Sequence, residues 1–266
     1  MKRRPAVAGQ FYQGSSAGLS KEVQRYIESA AKERVMGVVS PHAGLMYSGS
    51  VAGAVYSRIE IPHTFILIGP NHTGLGKPVS IMTDGEWEIP TGALKIDRAL
   101  AKKIMQGSPM IQEDSTAHLM EHSLEVQLPF ILHFSSDVLI VPVAMMAYSL
   151  DVCREVGLAL ADAVQDTEYP VTIVASSDMS HYEPDSAVRA KDKKAINEIL
   201  DLNPEGLHKT VTGGNISMCG FAPATAMLFA VKKLGAKKAA LIKYMTSGDA
   251  SGDYSSVVGY AGIIIK

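Results

Sequence analysis

The chain has 266 residues, 47% of them apolar and 20% charged, with a formal net charge of −2. This is the composition of a globular protein with a sizeable core, and its near-neutral charge gives nucleic acid or an anionic membrane surface no general electrostatic hold. No stretch of about 18 apolar residues could span a bilayer, and two cysteines make no disulfide framework. The start, "MKRRPAVAGQFY", has basic residues but no apolar stretch of signal-peptide type behind them, so a reducing, cytoplasmic setting is the expectation.

In chain order, "RVMGVVSPH" (34–42) predicts a strand and "SGSVAGAVYSRI" (48–59) a helix rich in small residues. "TFILIGP" (64–70) predicts a second strand, and 78–92 a strand, a turn and a short strand. Helical spacing comes next at 97–106 and 120–132, then a core strand at 137–145 and a strongly amphipathic helix at 149–165. A strand at 169–178, helices at 186–202 and 221–235, and strands at 238–247 and 256–266 complete the chain. The last two strands are close enough in sequence to be antiparallel neighbours. Strands alternating with helices of this length imply an α/β fold with helices on both faces of the sheet, and no compositional break divides residues 1–266 into two domains.

The strands end in polar loops of a common kind. "VMGVV" runs into Ser40-Pro41-His42-Ala43-Gly44, "FILIG" into Pro70-Asn71-His72-Thr73-Gly74, and "VTIVA" into Ser176-Ser177-Asp178-Met179-Ser180-His181. "ALIKYM" runs into Thr246-Ser247-Gly248-Asp249. In open α/β sheets the loops beyond the carboxyl ends of parallel strands line the ligand crevice. If these strands are parallel, His42, His72 and His181 converge on one edge as metal ligands or acid/base groups. The Pro- and Gly-stiffened turns around His42 and His72 favour a metal, with Asp178 and His181 adding a carboxylate and a proton carrier nearby.

Cys219, between a glycine-rich stretch and a helix start, is a candidate low-pKa thiol or soft metal ligand, whereas Cys153, among Leu and Val in mid-helix, is expected to be buried. Glu121, His122 and Glu125 fall within about one helical turn; they read equally as outer partners of a site or as an exposed face or cap. His63, His118, His133 and His208 show no partner pattern, and Trp87 reads as a core filler.

Six blocks in order, "AGQFYQG", "SPHAGLMYSG", "IGPNHTG", "EHSLEVQLPF", "SSDMSHY" and "GNISMCGFAP", resemble the Memo (mediator of cell motility) family and together cover nearly the whole chain. That family is similar to the LigB-type class III extradiol dioxygenases, non-haem iron enzymes. The resemblance implies one three-layer α/β/α domain over 1–266 with a mixed central sheet, and His42 and His72 as metal-binding histidines. It also implies Cys219 where the dioxygenases place a carboxylate ligand, and Asp178 and His181 as cleft residues, His181 resembling an acid/base histidine. Fe(II) or Cu is then the expected cofactor, with no nucleotide or flavin, and a small-molecule or peptide ligand in the cleft; the substrate and the oligomeric state stay open. Two alternatives remain: a Cys–His hydrolase or transferase with Cys219 as nucleophile, and a non-catalytic ligand-binding protein reusing the cleft.

Overall fold

Four of the apolar runs lie side by side in the computed structural model, which describes residues 1–266. They form strands β1 (Gly37–Ser40), β2 (Thr64–Pro70), β3 (Leu139–Met145) and β4 (Val171–Ser176). Their order is β3-β2-β4-β1, and every pairing is parallel. Parallel strands covered on both faces need no polar alternation, which is why β2 is buried at all seven positions.

The sheet turns mixed beyond β1. Strand β6 (Val257–Ile265) pairs antiparallel to β1, with Ile263 opposite Val39, and β5 (Ala239–Thr246) pairs antiparallel to β6, as expected from their closeness in sequence. Two reversals leave β5 running in the same direction as β1 to β4, so Thr246-Ser247 emerges at the edge that also receives the loops after β1, β2 and β4. On the other side Gly92–Ile96 pairs with β3, Glu86–Ile89 with Gly92–Ile96, and Lys2–Arg3 with Glu86–Trp87.

Helix α1 (Leu45–Tyr56) packs on β5 and β6. Helix α4 (Phe221–Lys233) packs on β1, β2 and β4 and against α2 (Leu150–Gln165), while α3 (Asp185–Leu200) lies against β5 and β6. The contact of α2 with α4 needs Gly157: a Cβ there would lie 2.4 Å from the carbonyl oxygen of Ala226. One cluster of 66 buried residues, from Val7 to Ile265, forms the core and includes Trp87. Cys153 is fully buried. No helix is long and apolar enough to cross a membrane.

The expected helix at 120–132 is not one helix. A short helix (Thr116–Leu119) is succeeded by an irregular turn, a 3-10 turn (Glu125–Gln127) and a helix from Leu128 to Phe134. The cause is local chemistry. The Glu121 carboxylate accepts the backbone N–H of both His122 (2.9 Å) and Ser123 (2.8 Å), holding them in a turn, and Pro129 suits a helix's first turn rather than its interior. Helices at Ser16–Gln24 and Pro204–Gly213 were not anticipated, nor was the strand at Gly92–Ile96.

Candidate metal centre

The parallel order of β1, β2 and β4 brings the loops after them together. His42, two residues beyond β1, is buried, and His72, two residues beyond β2, is about a third exposed at its side chain. Their rings stand edge to face with centroids 5.3 Å apart. The third imidazole is not His181 but His122, which stacks on His72 at 4.7 Å and lies 5.5 Å from His42. One ligand atom from each of His42, His72 and His122 lies within 4.8 Å of the other two.

The hydrogen bonds behind two of these rings set their tautomers. The Ser176 hydroxyl donates to the Ser123 carbonyl (2.6 Å) and accepts from Gln127 Nε2 (2.9 Å), so its 2.9 Å contact with His42 Nδ1 is accepted from the imidazole N–H. His72 Nδ1 likewise faces Glu121 Oε1 at 2.9 Å. In both residues the nitrogen left with a lone pair is Nε2, the arrangement by which an outer acceptor orients a metal-binding histidine.

Protonation states agree with this reading. Burial holds His42 well below its ordinary value, helped by the nearby His122 and His72, and burial also lowers His122 against the pull of Glu121. Both are therefore neutral at pH 7. Burial pushes the Glu121 carboxyl up, but the bond from His72, the neighbouring imidazoles and the Ser123 amide outweigh it and bring it down to about 2.

The other expected site residues, Cys219, Asp178 and His181, line the same cavity around this cluster. Cys219 Sγ is 3.3 Å from His42 Nε2 and also accepts the Asp178 N–H at 3.3 Å. Asp178 Oδ1 accepts the backbone N–H groups of His42 (2.8 Å) and Ala43 (3.3 Å), and burial raises its carboxyl. Burial, and then the Asp178 charge, push the Cys219 thiol up, against the stabilisation expected from the start of α4. His181 sits at the mouth, its backbone N–H on Ser217 Oγ (2.7 Å) and its Nδ1 2.8 Å from the Ser217 carbonyl. His63, His118, His133 and His208 do not line the cleft.

All of the site side chains from His42 to Cys219 named as ligand or proton-carrier candidates line a cavity of about 800 Å³. Phe11, Tyr47, Tyr182 and Tyr260 supply its aromatic surface, Ser247 and Val258 come from the ends of β5 and β6, and no lysine or arginine lines it.

A family model described as Memo-like protein matches residues 3–264. The chain belongs to the Memo family. It is 41% identical to a MEMO1 family protein of Methanothermobacter thermautotrophicus, the match covering 98% of this chain and 99% of the relative. Identity is 40% with a MEMO1 family protein of Methanopyrus kandleri, over 100% and 99% of the two chains. With a MEMO1 family protein of Methanosarcina acetivorans it is 44%, over 99% of each. Among solved structures, the uncharacterized protein JW3007 from Escherichia coli K12 superposes with a TM-score of 0.62 over 87% of this chain and 100% of its own, at 14% identity, a likeness of fold alone. For this Memo-family chain, His122 is the site residue whose role sequence reasoning left open. The available signal was Glu121 beside it, a carboxylate directly preceding a histidine in a stretch that Pro129 argues against as one helix.

Proposed function

We propose that His42, His72 and His122 hold one iron or copper ion in the wall of a cleft that receives a small-molecule or peptide ligand, making the protein a metal-dependent oxidoreductase. The carrying observation is the cluster of three imidazoles, each able to offer one nitrogen within 4.8 Å of the others, on a cavity of about 800 Å³. Neutral imidazoles suit iron, copper and zinc, and three donors leave positions open for a ligand. A bound iron or copper ion would supply Lewis acidity and one-electron redox chemistry.

The protein's own groups have separable tasks in this reading. Ser176 and Glu121 hold His42 and His72 with Nε2 presented to the metal. Cys219, against His42 Nε2, is a fourth, soft donor once deprotonated, which tilts the site toward copper. No carboxylate completes the triad: Glu121 stands behind His72, and Asp178 Oδ1 is engaged by two backbone amides. Asp178 keeps His42 and the Cys219 thiol in place, and His181 at the mouth carries a proton to or from the bound ligand.

The nucleophile reading has one observation in its favour, the 3.3 Å contact of Cys219 Sγ with His42 Nε2. The raised thiol counts against it, because an activated cysteine needs its thiolate stabilised.

The test is metal analysis after anaerobic loading with Fe(II) or Cu(I). The wild type is expected to take up one equivalent, and His42→Ala, His72→Ala and His122→Ala each to lose it while remaining folded. Cys219→Ser should weaken Cu(I) more than Fe(II). Stoichiometric metal retained in His122→Ala would remove that residue from the ligand set, and no uptake by the wild type would overturn the metal reading.

A further inference from the structure

The cluster is built against a segment that contributes no ligand, Arg3 to Tyr12. Arg3 is fully buried despite lying in a run of basic residues, and its guanidinium sits 4.2 Å from the centre of the Trp87 ring. It donates to Glu125 Oε2 (2.5 Å) and to the carbonyl oxygens of His118 (2.8 Å) and Glu121 (2.6 Å). Glu125 takes three further bonds from the same segment: Ala6 N–H at 2.7 Å, Val7 N–H at 3.1 Å and the Tyr12 hydroxyl at 2.5 Å. The Arg3 and Glu125 side chains are both completely shielded from solvent.

Two branches of this network reach the His72 and His122 rings, and a third reaches the start of α1 just beyond His42. Arg3 grips the backbone of Glu121, whose carboxylate in turn holds His72 Nδ1 and the His122 N–H. The Phe11 ring lies 4.8 Å from the His122 ring, tilted at 57°. The Phe11 carbonyl accepts the Leu45 N–H at 2.7 Å, pinning the first residue of α1, three positions after His42. His122 comes after no strand, so the sheet does not place its ring; Glu121 Oε1 lies 3.4 Å from its Nδ1 and the Phe11 ring lies beside it.

We propose that the Arg3–Tyr12 segment is a working part of the metal centre, with Arg3 and Phe11 as positioning residues that set the orientation of His122 and His72. A buried ion pair by itself is weak support for stability and is better suited to fixing one arrangement among several. Here the arrangement fixed is that of the 118–125 turn. This inference rests on the three-histidine reading, since the rings being positioned are its ligands.

The test compares Arg3→Lys and Phe11→Leu with Lys2→Ala, a control beside the segment whose ammonium makes only surface pairs with Glu86 and Glu88. Lysine cannot serve Glu125 and two carbonyls in Arg3's fixed fork, and leucine keeps bulk without the ring. Two readouts are taken on protein shown to be folded by cooperative melting. One is Co(II) affinity with the ligand-field spectrum at saturation. The other is the imidazole ¹H–¹⁵N spectrum of metal-free protein.

Arg3→Lys and Phe11→Leu are expected to lose about 10- to 100-fold in Co(II) affinity, the usual cost of removing an outer partner. They should also alter the saturated Co(II) spectrum and shift the His122 and His72 imidazole signals, while Lys2→Ala matches wild type in all three. Wild-type affinity, spectrum and imidazole shifts in Phe11→Leu would overturn the proposal even if Arg3→Lys fails to fold. A wild type that binds no Co(II) would count against the metal reading, and the metal-free imidazole spectra would still decide the positioning.

Discussion

Glu121 and Glu125 stand four residues apart, both fully buried, and each gathers hydrogen bonds from a different part of the chain. Glu125 is matched by a permanent cation, Arg3, with two amides and a phenol completing its shell. Glu121 has no such partner; its donors are three backbone amides and the His72 imidazole, the last of which opens onto the cleft. The first is a closed anchor and the second an adjustable support. One short turn thus carries a part that must not move and a part that answers to whatever binds His72 and His122.

The largest effect that would break this comparison is at the anchor. Glu125→Ala leaves the Arg3 charge buried and unpaired, which should cost about 3–5 kcal/mol in urea unfolding. A loss below about 1 kcal/mol would show that Arg3 escapes to solvent and that the anchor is not closed.

Acid should discriminate next. The folded-state pKa values of His42 and His122 lie below their unfolded values, so the unfolded chain binds more protons as the pH falls. Stability is therefore whole above about pH 7 and declines below about 6.5, by about 1.4 kcal/mol per pH unit for each imidazole that must be charged. Glu121 acts in the same direction further down: its contribution holds above its ordinary value of 4.5 and is lost as the pH falls toward about 2. Urea midpoints from pH 8 to 4.5 should show this slope, and His122→Ala should flatten it.

At the adjustable support, Glu121→Gln keeps the shape and removes the charge. It should cost about 1–3 kcal/mol of stability and about 10- to 100-fold in metal affinity. If stability falls as far as in Glu125→Ala, the two carboxylates do the same job and the contrast disappears. The smallest effect belongs to Lys2→Ala, where breaking solvent-exposed pairs should leave the melting temperature unchanged.

The two histidines placed just after strands were legible because an apolar run broken by Gly, Pro and a polar loop implies both a strand and its end. His42 and His72 therefore came with a position as well as a residue type. The α/β class and the antiparallel pairing of β5 with β6 came from the same spacing, whereas the parallel direction of β1 to β4 entered only as a condition that the structure meets. His122 was not legible in that way. Its place depends on a carboxylate that stitches amides from two distant loops, and periodicity placed the residue on a helix that Glu121 prevents. Arg3 was hidden for a related reason. A basic residue among basic residues reads as solvated surface, and only Glu125 together with two free carbonyls makes its burial possible. The helix at Pro204–Gly213, by contrast, carried an ordinary start signal: Asn203 caps it by accepting the Gly206 N–H at 3.0 Å, with proline next.

The antiparallel register of Ile263 on Val39 has a kinetic consequence. It joins positions near opposite ends of the sequence, whereas the helices and the β2–β3 region can form from nearer neighbours. Long-range pairing of this kind is slow because a large loop must close before the contact repays it. Val258 and Tyr260, on the same strand, form part of the cleft wall. Refolding should therefore restore helical signal quickly, while the cleft acquires its last wall only when β6 docks, in the slow phase.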